Sequence, residues 1–227
     1  MRCLYCQQPF SPPLVWRELF SLQVAQQPAL CQACRRQFEP LKPGCPTCGR
    51  PQTSPQRCQD CQRWQRHYPT QLLHNHASYH YNPAMHDLMV QYKRYGDYQL
   101  ALVLQTLIAP AFRELEYDYY VPVPSAPEHL ARRQFDTISA VFTGLVPLSP
   151  LLKKIAGTSP QGEKQRRARL QAPQAFYLRP LVAPLSPGAR YLLLDDIYTT
   201  GRTLYHARDA LQVLDPQAQI ESLTICR

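Results

Sequence analysis

Long apolar runs are missing from this sequence. None approaches the ~18–20 residues needed to cross a bilayer, so no membrane insertion is expected. The first residues, MRCLYCQQPFS, lack the apolar stretch of a secretory signal, and a cytoplasmic protein is expected. Glycine is scarce, 8 of 227 residues against 23 prolines, so turns must lean on proline. Acidic residues are also few: 16 Asp and Glu stand against 25 Lys and Arg, a formal charge of +9. A hydrophobic content of 44% excludes wholesale disorder, and 227 residues suffice for one or two domains with a sizeable core.

Cysteine, by contrast, is plentiful and regularly spaced. Eight of nine form four C-x-x-C pairs: Cys3/Cys6, Cys31/Cys34, Cys45/Cys48 and Cys58/Cys61; Cys226 stands alone. Two residues between thiolates let one tight turn present both sulfurs to one metal, and two such knuckles complete a tetrahedral four-sulfur site suited to zinc. The competing readings are a disulfide-rich module or a redox C-x-x-C, and four pairs in a cytosolic chain favour metal. Two structural zinc ions are therefore expected. Cys45-Pro-Thr-Cys48-Gly49 is itself a knuckle pattern, with Gly49 suited to a left-handed turn position. Two pairings fit. The sequential one groups Cys3, Cys6, Cys31 and Cys34, then Cys45, Cys48, Cys58 and Cys61; the crossed one interleaves them. The sequential one closes shorter loops. With eight thiolates and two Zn²⁺ the formal charge drops to about +5, so the basic balance is weaker evidence for nucleic acid than it first looks.

After Cys61 the composition shifts. Residues 62–82 carry His67, Tyr68, His74, His76, Tyr79, His80 and Tyr81 at spacings that fit no tight ligand set, and are read as a half-buried strand and its approach. Trp64 and Tyr68 could stack on bases of a nucleic acid, and are read first as core or interface residues. A double zinc-ribbon domain over 1–66 and an α/β domain over 67–227 are expected. In the second, Asn82 and Pro83 open a helix carrying Met85, Leu88, Met89 and Tyr92. Gly96 ends it, and Asp97 starts another with Leu100, Val103, Leu104, Leu107 and Ile108. Strands are expected at 119–123, 145–152, 176–178, 191–195 and 220–226, and helices between Pro127 and Gly144 and over 203–214. Strands alternating with helices imply parallel pairing.

The most informative stretch runs from Leu192 to Leu204: an apolar strand, Asp195-Asp196, the loop Tyr198-Thr199-Thr200-Gly201, then Arg202-Thr203 opening a helix. In a parallel sheet, ligands bind beyond the carboxyl ends of strands. The loop N–H groups, the Thr hydroxyls and the positive helix N-terminus suit a phosphate dianion. The two carboxylates can accept hydrogen bonds from ribose hydroxyls, so a sugar phosphate fits the constellation.

This segment resembles the phosphoribosyl-pyrophosphate (PRPP) motif of type I phosphoribosyltransferases. Cysteine knuckles come first; then Tyr81–Gly96, a Y-x-x-P-x-x-x-L-x-x-x-Y-K-x-x-G-D-like block; then Val121-Pro122-Val123-Pro124; then Arg132-Arg133; then Gln161…Arg169…Phe176. That order resembles the ComF family of late-competence proteins. The resemblance implies a small double zinc ribbon, each ion held by four cysteines, joined to a type I phosphoribosyltransferase-like α/β domain with a mostly parallel sheet. It also implies a cytosolic role in natural transformation, handling incoming single-stranded DNA with a DEAD-box-type, ATP-driven translocase. Pro124, Ser125, Arg132 and Arg133 would form the pyrophosphate loop. Relatives carry an R-R-G-F-N-Q-type string there; this chain has Arg132-Arg133-Gln134-Phe135-Asp136-Thr137. Asp136 would set a negative charge near an anion and weaken its binding.

Residues 153–169 hold Lys153, Lys154, Lys164, Arg166, Arg167 and Arg169 against the single acid Glu163. Such a strip can track a nucleic-acid backbone, cover the diphosphate of PRPP, or be a solvated face. Three functions follow: a DNA-uptake accessory protein, an active phosphoribosyltransferase needing Mg²⁺ on the diphosphate, or a non-catalytic PRPP or nucleotide sensor. Catalytic residues are not identifiable.

Overall fold

The computed structural model describes residues 1–12, 28–113, 115–155, 174–180 and 184–227. The sheet is built from apolar strands that feed helices. β1 (Asn75–Tyr79), β2 (Tyr119–Pro122), β5 (Arg190–Ile197) and β6 (Gln219–Cys226) form it in the order β1-β6-β5-β2. Every pair is parallel, with Tyr120 opposite Leu192, Leu194 opposite Leu223 and Asp195 opposite Thr224. The fold is thus α/β with a parallel central sheet, as the alternation of strand and helix patterns predicts.

Side chains alternate across a strand, so β5 serves two cores. Leu192 and Leu194 enter one, with α3 (Pro83–Arg94), α4 (Leu100–Ile108) and α6 (Thr137–Phe142). Tyr191 and Leu193 enter the other, with α2 (Gln59–His67) and α7 (Arg202–Leu214). Each fully buried leucine contributes ~1.5–3 kcal/mol relative to exposure. α3 forms where its signals say: Asn82 Oδ1 accepts the Met85 N–H at 3.0 Å, and Met85, Leu88, Met89 and Tyr92 are buried. In α4, Leu100, Val103, Leu104, Leu107 and Ile108 are buried as their spacing requires.

Three expectations are amended. The segment after Cys58 is helical through His67 before the strand at 75–79, so the aromatic and His content there does not mark a single strand. The stretch 127–144 is two helices, α5 (Pro127–Arg133) and α6, broken at Gln134, whose φ of 64° is left-handed. That is a conformation glycine adopts freely and other residues rarely do. Residues 145–151 supply only a bridge from Leu148 to Tyr120. The strand is β3 (Leu152–Lys154), antiparallel to β4 (Phe176–Leu178) in a separate pair. The described residues also include α1 (Gln32–Arg35). Among them, no helix is long and apolar enough to cross a membrane.

Candidate functional site

The eight paired cysteines gather into two sets in sequential order: Cys3, Cys6, Cys31 and Cys34, and Cys45, Cys48, Cys58 and Cys61. In each, the sulfurs lie within 4.8 Å of one another. A tetrahedral zinc with Zn–S of ~2.3 Å sets its sulfurs about 3.8 Å apart. Cys6 and Cys31 sulfurs are 4.0 Å apart, those of Cys48 and Cys58 3.6 Å. Backbone N–H groups already face sulfur: Cys31 N–H to Cys3, Cys34 N–H to Cys31, and Cys58 N–H to Cys45. Four sulfurs at this spacing, with N–H donors that favour thiolate, fit a structural metal of the zinc type. In the second set Gly49 takes φ 70° and its N–H reaches the Cys45 carbonyl at 2.9 Å. In the first set, burial opposes ionisation of Cys3, but the backbone N–H groups of Cys31, Cys6 and Tyr5 bring it down to about 7. In the second, a hydrogen bond from Cys61 holds Cys48 down to about 5, with the Arg227 guanidinium assisting against burial. Cys226 lies buried in β6, outside both sets.

At the carboxyl end of β5 the sheet delivers Asp195 and Asp196. Burial first, then the charge of Asp196, raises the Asp195 carboxyl to about 7, while Lys93 pulls it down. The Lys93 ammonium, from α3, ion-pairs with Asp196. Lys93 carries no role in the sequence reading, although it belongs to the Tyr92-Lys93-x-x-Gly96-Asp97 block; its meeting with Asp196 is a long-range event. Beyond the acids, Tyr198 is buried, Thr199 exposed, Thr200 buried, and Gly201 takes φ 82°. Gly201 has no alternative. A Cβ there would lie 2.3 Å from the Tyr198 hydroxyl and 3.4 Å from Trp64 Nε1. As N-cap, Gly201 has no side chain to offer the first turn of α7, and a helix N-terminus is where an anion meets backbone donors. Thr203 is exposed on that turn, and Arg202 lines a cavity of about 220 Å³ with Asp60, Arg63, Trp64 and His67.

The 124–137 region is used differently from a bare anion loop. Asp136 caps α6, accepting the Ser139 N–H at 2.8 Å through one oxygen and the Ser125 N–H at 3.1 Å through the other. Arg133 donates to the Lys93 carbonyl at 2.6 Å, which ties it to the acid pair's neighbour, and Arg132 is exposed. Pro124 and Ser125 follow β2 after Val123.

Of the basic strip, Lys153 is exposed on β3, and Lys154 sits with its ammonium 5.8 Å from the Phe176 ring centre. Lys164, Arg166, Arg167 and Arg169 lie outside the described residues. Sequence reasoning missed Trp64 as a part of the site: its indole N–H donates to the Thr200 carbonyl at 2.8 Å. The available signal was its place three residues after Cys61, which puts both on one helix face.

No family model matches the chain. It is 29% identical over 233 aligned positions to the competence protein ComFC of Bacillus subtilis strain 168, covering 99% of this chain and 94% of that protein. It is also 29% identical over 215 positions to the competence protein ComFC of Streptococcus pneumoniae strain R6, covering 93% and 94%. With coverage this wide, similarity is not confined to the cysteine sets or to the strand–acid–loop–helix unit, and it supports the resemblance to the ComF family of late-competence proteins.

Proposed function

We propose that the protein serves DNA uptake in competence, binding single-stranded DNA, carrying a ribose-phosphate site of the PRPP type, and working in the cytoplasm beside an ATP-dependent DNA translocase of the DEAD-box type. The two relatives are competence proteins, which supports the process. The observation that carries the site is the junction of β5 and α7: two carboxylates, a loop closing on a left-handed glycine, and a helix start with that glycine as its N-cap. A phosphate dianion would accept those N–H groups, with the Thr199, Thr200 and Thr203 hydroxyls beside them. Asp195 and Asp196 would accept from ribose hydroxyls. Lys93 neutralises one of the two carboxylates, which reduces their repulsion of an incoming anion. Mg²⁺ would accompany a diphosphate.

A binding role is favoured over transferase turnover by Asp136. Its carboxylate already holds the Ser125 N–H, a donor the turn after β2 would otherwise offer to a pyrophosphate. The basic strip at 153–169, led by Lys153 and Lys154, supplies the charge for a DNA backbone.

The test titrates the zinc-replete protein with a labelled oligothymidylate and, separately, with Mg²⁺-PRPP. PRPP affinity should fall at least about tenfold in the Asp195→Ala/Asp196→Ala double variant, as when a buried polar pair loses its partners. DNA affinity should fall with salt at a log–log slope of about 0.7 per phosphate contact, and Lys153→Ala/Lys154→Ala should flatten it. A double variant that binds PRPP as wild type moves the site elsewhere; a salt-independent or absent DNA signal removes the DNA role.

A further inference from the structure

The loop between β5 and α7 is walled from behind by the helix that carries half of the second cysteine set. α2 starts on Cys58 as its N-cap and contains Cys61. Trp64 follows on the same face, 7% exposed. Its ring stacks on Tyr205 at 4.0 Å with a 20° interplanar angle, and Tyr68 stacks on Tyr205 at 4.9 Å and 10°. The Tyr68 hydroxyl donates to Asp209 at 2.6 Å, and the Arg208 guanidinium lies 4.2 Å from the Tyr68 ring centre. These aromatic and polar contacts bind α2 and the residue after it to the first two turns of α7.

One hydrogen bond reaches further. Trp64 Nε1–H holds the Thr200 carbonyl at 2.8 Å. The peptide joining Thr200 to Gly201 is trans and planar, so its C=O and its N–H point in opposite directions. Fixing the carbonyl toward α2 therefore fixes the Gly201 N–H away from α2. Tyr198 closes the remaining space, since its hydroxyl is where a Gly201 side chain would be. The loop cannot relax backwards while Trp64 is in place.

α2 has nine residues and no side-chain cap at its N-terminus. Isolated helices shorter than about 12–15 residues are marginal in water. A metal held by Cys58 and Cys61, cross-linked to Cys45 and Cys48, would fasten its first turn together with the ion pair of Arg50 with Asp60.

We propose that the second cysteine site and the phosphate loop are one coupled unit, in which Trp64 is the positioning residue: metal at Cys45, Cys48, Cys58 and Cys61 sets α2, and Trp64 aims the Gly201 N–H for a phosphate monoester or diphosphate. This rests on the ribose-phosphate reading of the loop. Coupling between sites is reciprocal, so a bound ribose phosphate must hold the second metal more tightly by the factor that the metal tightens the ligand. The first cysteine set has no such contact among the described residues and serves as the internal control.

The experiment uses the full chain, zinc-replete, as wild type, Trp64→Phe, Cys61→Ser and Cys6→Ser. Three quantities are read: amide exchange at Gly201 by NMR, Mg²⁺-PRPP affinity by calorimetry, and the rate of zinc loss to a chromogenic chelator with and without PRPP. Trp64→Phe keeps an aromatic ring against Tyr205, removes the donor and takes away part of the ring system. It should keep both metals, speed Gly201 exchange, lower PRPP affinity roughly three- to tenfold, and abolish the slowing by PRPP of one of the two zinc-release phases. Cys61→Ser should lose the second metal with its release phase, and should speed Gly201 exchange and lower PRPP affinity more strongly, whereas Cys6→Ser should leave Gly201 exchange unchanged. If Cys61→Ser fails to fold, Trp64→Phe decides alone. Unchanged Gly201 exchange and unchanged zinc-release coupling in Trp64→Phe would overturn the proposal. If the wild-type protein binds no PRPP, the ribose-phosphate reading fails separately, and Gly201 exchange in Trp64→Phe still decides whether α2 sets the loop.

Discussion

The two cysteine sets share a ligand chemistry and differ in their surroundings. Cys45, Cys48, Cys58 and Cys61 are all buried, at 3%, 0%, 6% and 1% exposure, and belong to the core that packs Tyr191 and Leu193 against α7. In the first set only Cys3 and Cys34 are buried; Cys6 and Cys31 are half-buried. That set joins the opposite core, where the Tyr5 hydroxyl donates to the Ala84 carbonyl at the start of α3. The two sets therefore brace opposite faces of one sheet. They also stand behind different parts of the junction between β5 and α7. The first supports α3, whose Lys93 pairs with Asp196; the second supports α2, whose Trp64 holds Thr200. A metal site at the edge of a core acts as an attachment, whereas one inside a core is part of the packing and cannot be removed without opening it.

The largest effect should come from removing one ligand of each set. Cys48→Ser deletes a fully buried sulfur and would loosen a metal held by the second set, and should cost on the order of 3–5 kcal/mol, as other losses of structural metal and buried networks do. In a chain of this size that is a fall in Tm of roughly 10 °C. Cys6→Ser, at a half-buried position, should cost less than half as much. Thermal unfolding with zinc content measured on the same samples checks both; each variant should keep one ion. Equal losses would break the comparison and leave the sets as two equivalent clips.

The parts of this arrangement visible in the sequence are those with local causes. C-x-x-C spacing foretells a sulfur pair because two residues close one turn. Asn82-Pro83 and the 3–4 spacing of Met85, Leu88, Met89 and Tyr92 foretell α3 because capping and burial are set within a few residues. Leu192–Leu204 reads as strand, acids, loop and helix for the same reason. What escapes is set by the meeting of distant residues. Lys93 with Asp196, and Trp64 with Thr200, are long-range contacts that no period encodes. The helix over 59–67 is hidden because its cysteines and aromatics obscure the polar face. The break at Gln134 is hidden because a left-handed glutamine is a conformation that sequence propensities argue against.

A smaller effect separates the two carboxylates. Asp195 has its folded pKa raised from 3.8 to about 7, first by burial and then by Asp196. The folded chain therefore binds more protons than the unfolded chain between about pH 4 and about pH 7, and stability falls as pH rises through that window. Asp195→Asn removes the titrating group and should flatten that part of the profile. Urea midpoints measured from pH 4.5 to pH 8 check it. A wild-type midpoint that does not fall in that range, or a variant with the same slope as wild type, would show that Asp195 ionises freely in the fold. Stability arising from metal ligation runs the other way, since protons compete with metal for thiolates, so the comparison of wild type with Asp195→Asn must be made at saturating zinc.

The smallest effect tests whether the first set reaches the acids through α3. The side chains of Lys93 and Asp196 are 24% and 14% exposed, so their ion pair is partly shielded from water. Lys93→Met removes the cation and leaves Asp196 charged beside Asp195. Breaking such a pair should cost about 1 kcal/mol at neutral pH, the upper end of the range for exposed pairs. Because Lys93 lowers the Asp195 pKa, its loss should also raise that pKa further and extend the fall in stability to higher pH. The pairing with the cysteine sets then decides the matter. If the first set positions α3, Cys34→Ser and Lys93→Met should be non-additive by at least about 0.5 kcal/mol, while Cys48→Ser and Lys93→Met should add, because contacting networks couple and distant ones do not. Additivity in both cycles would mean that α3 holds Lys93 through its own packing of Met85, Leu88, Met89 and Tyr92, and that of the two cysteine sets only the second is wired to the junction between β5 and α7.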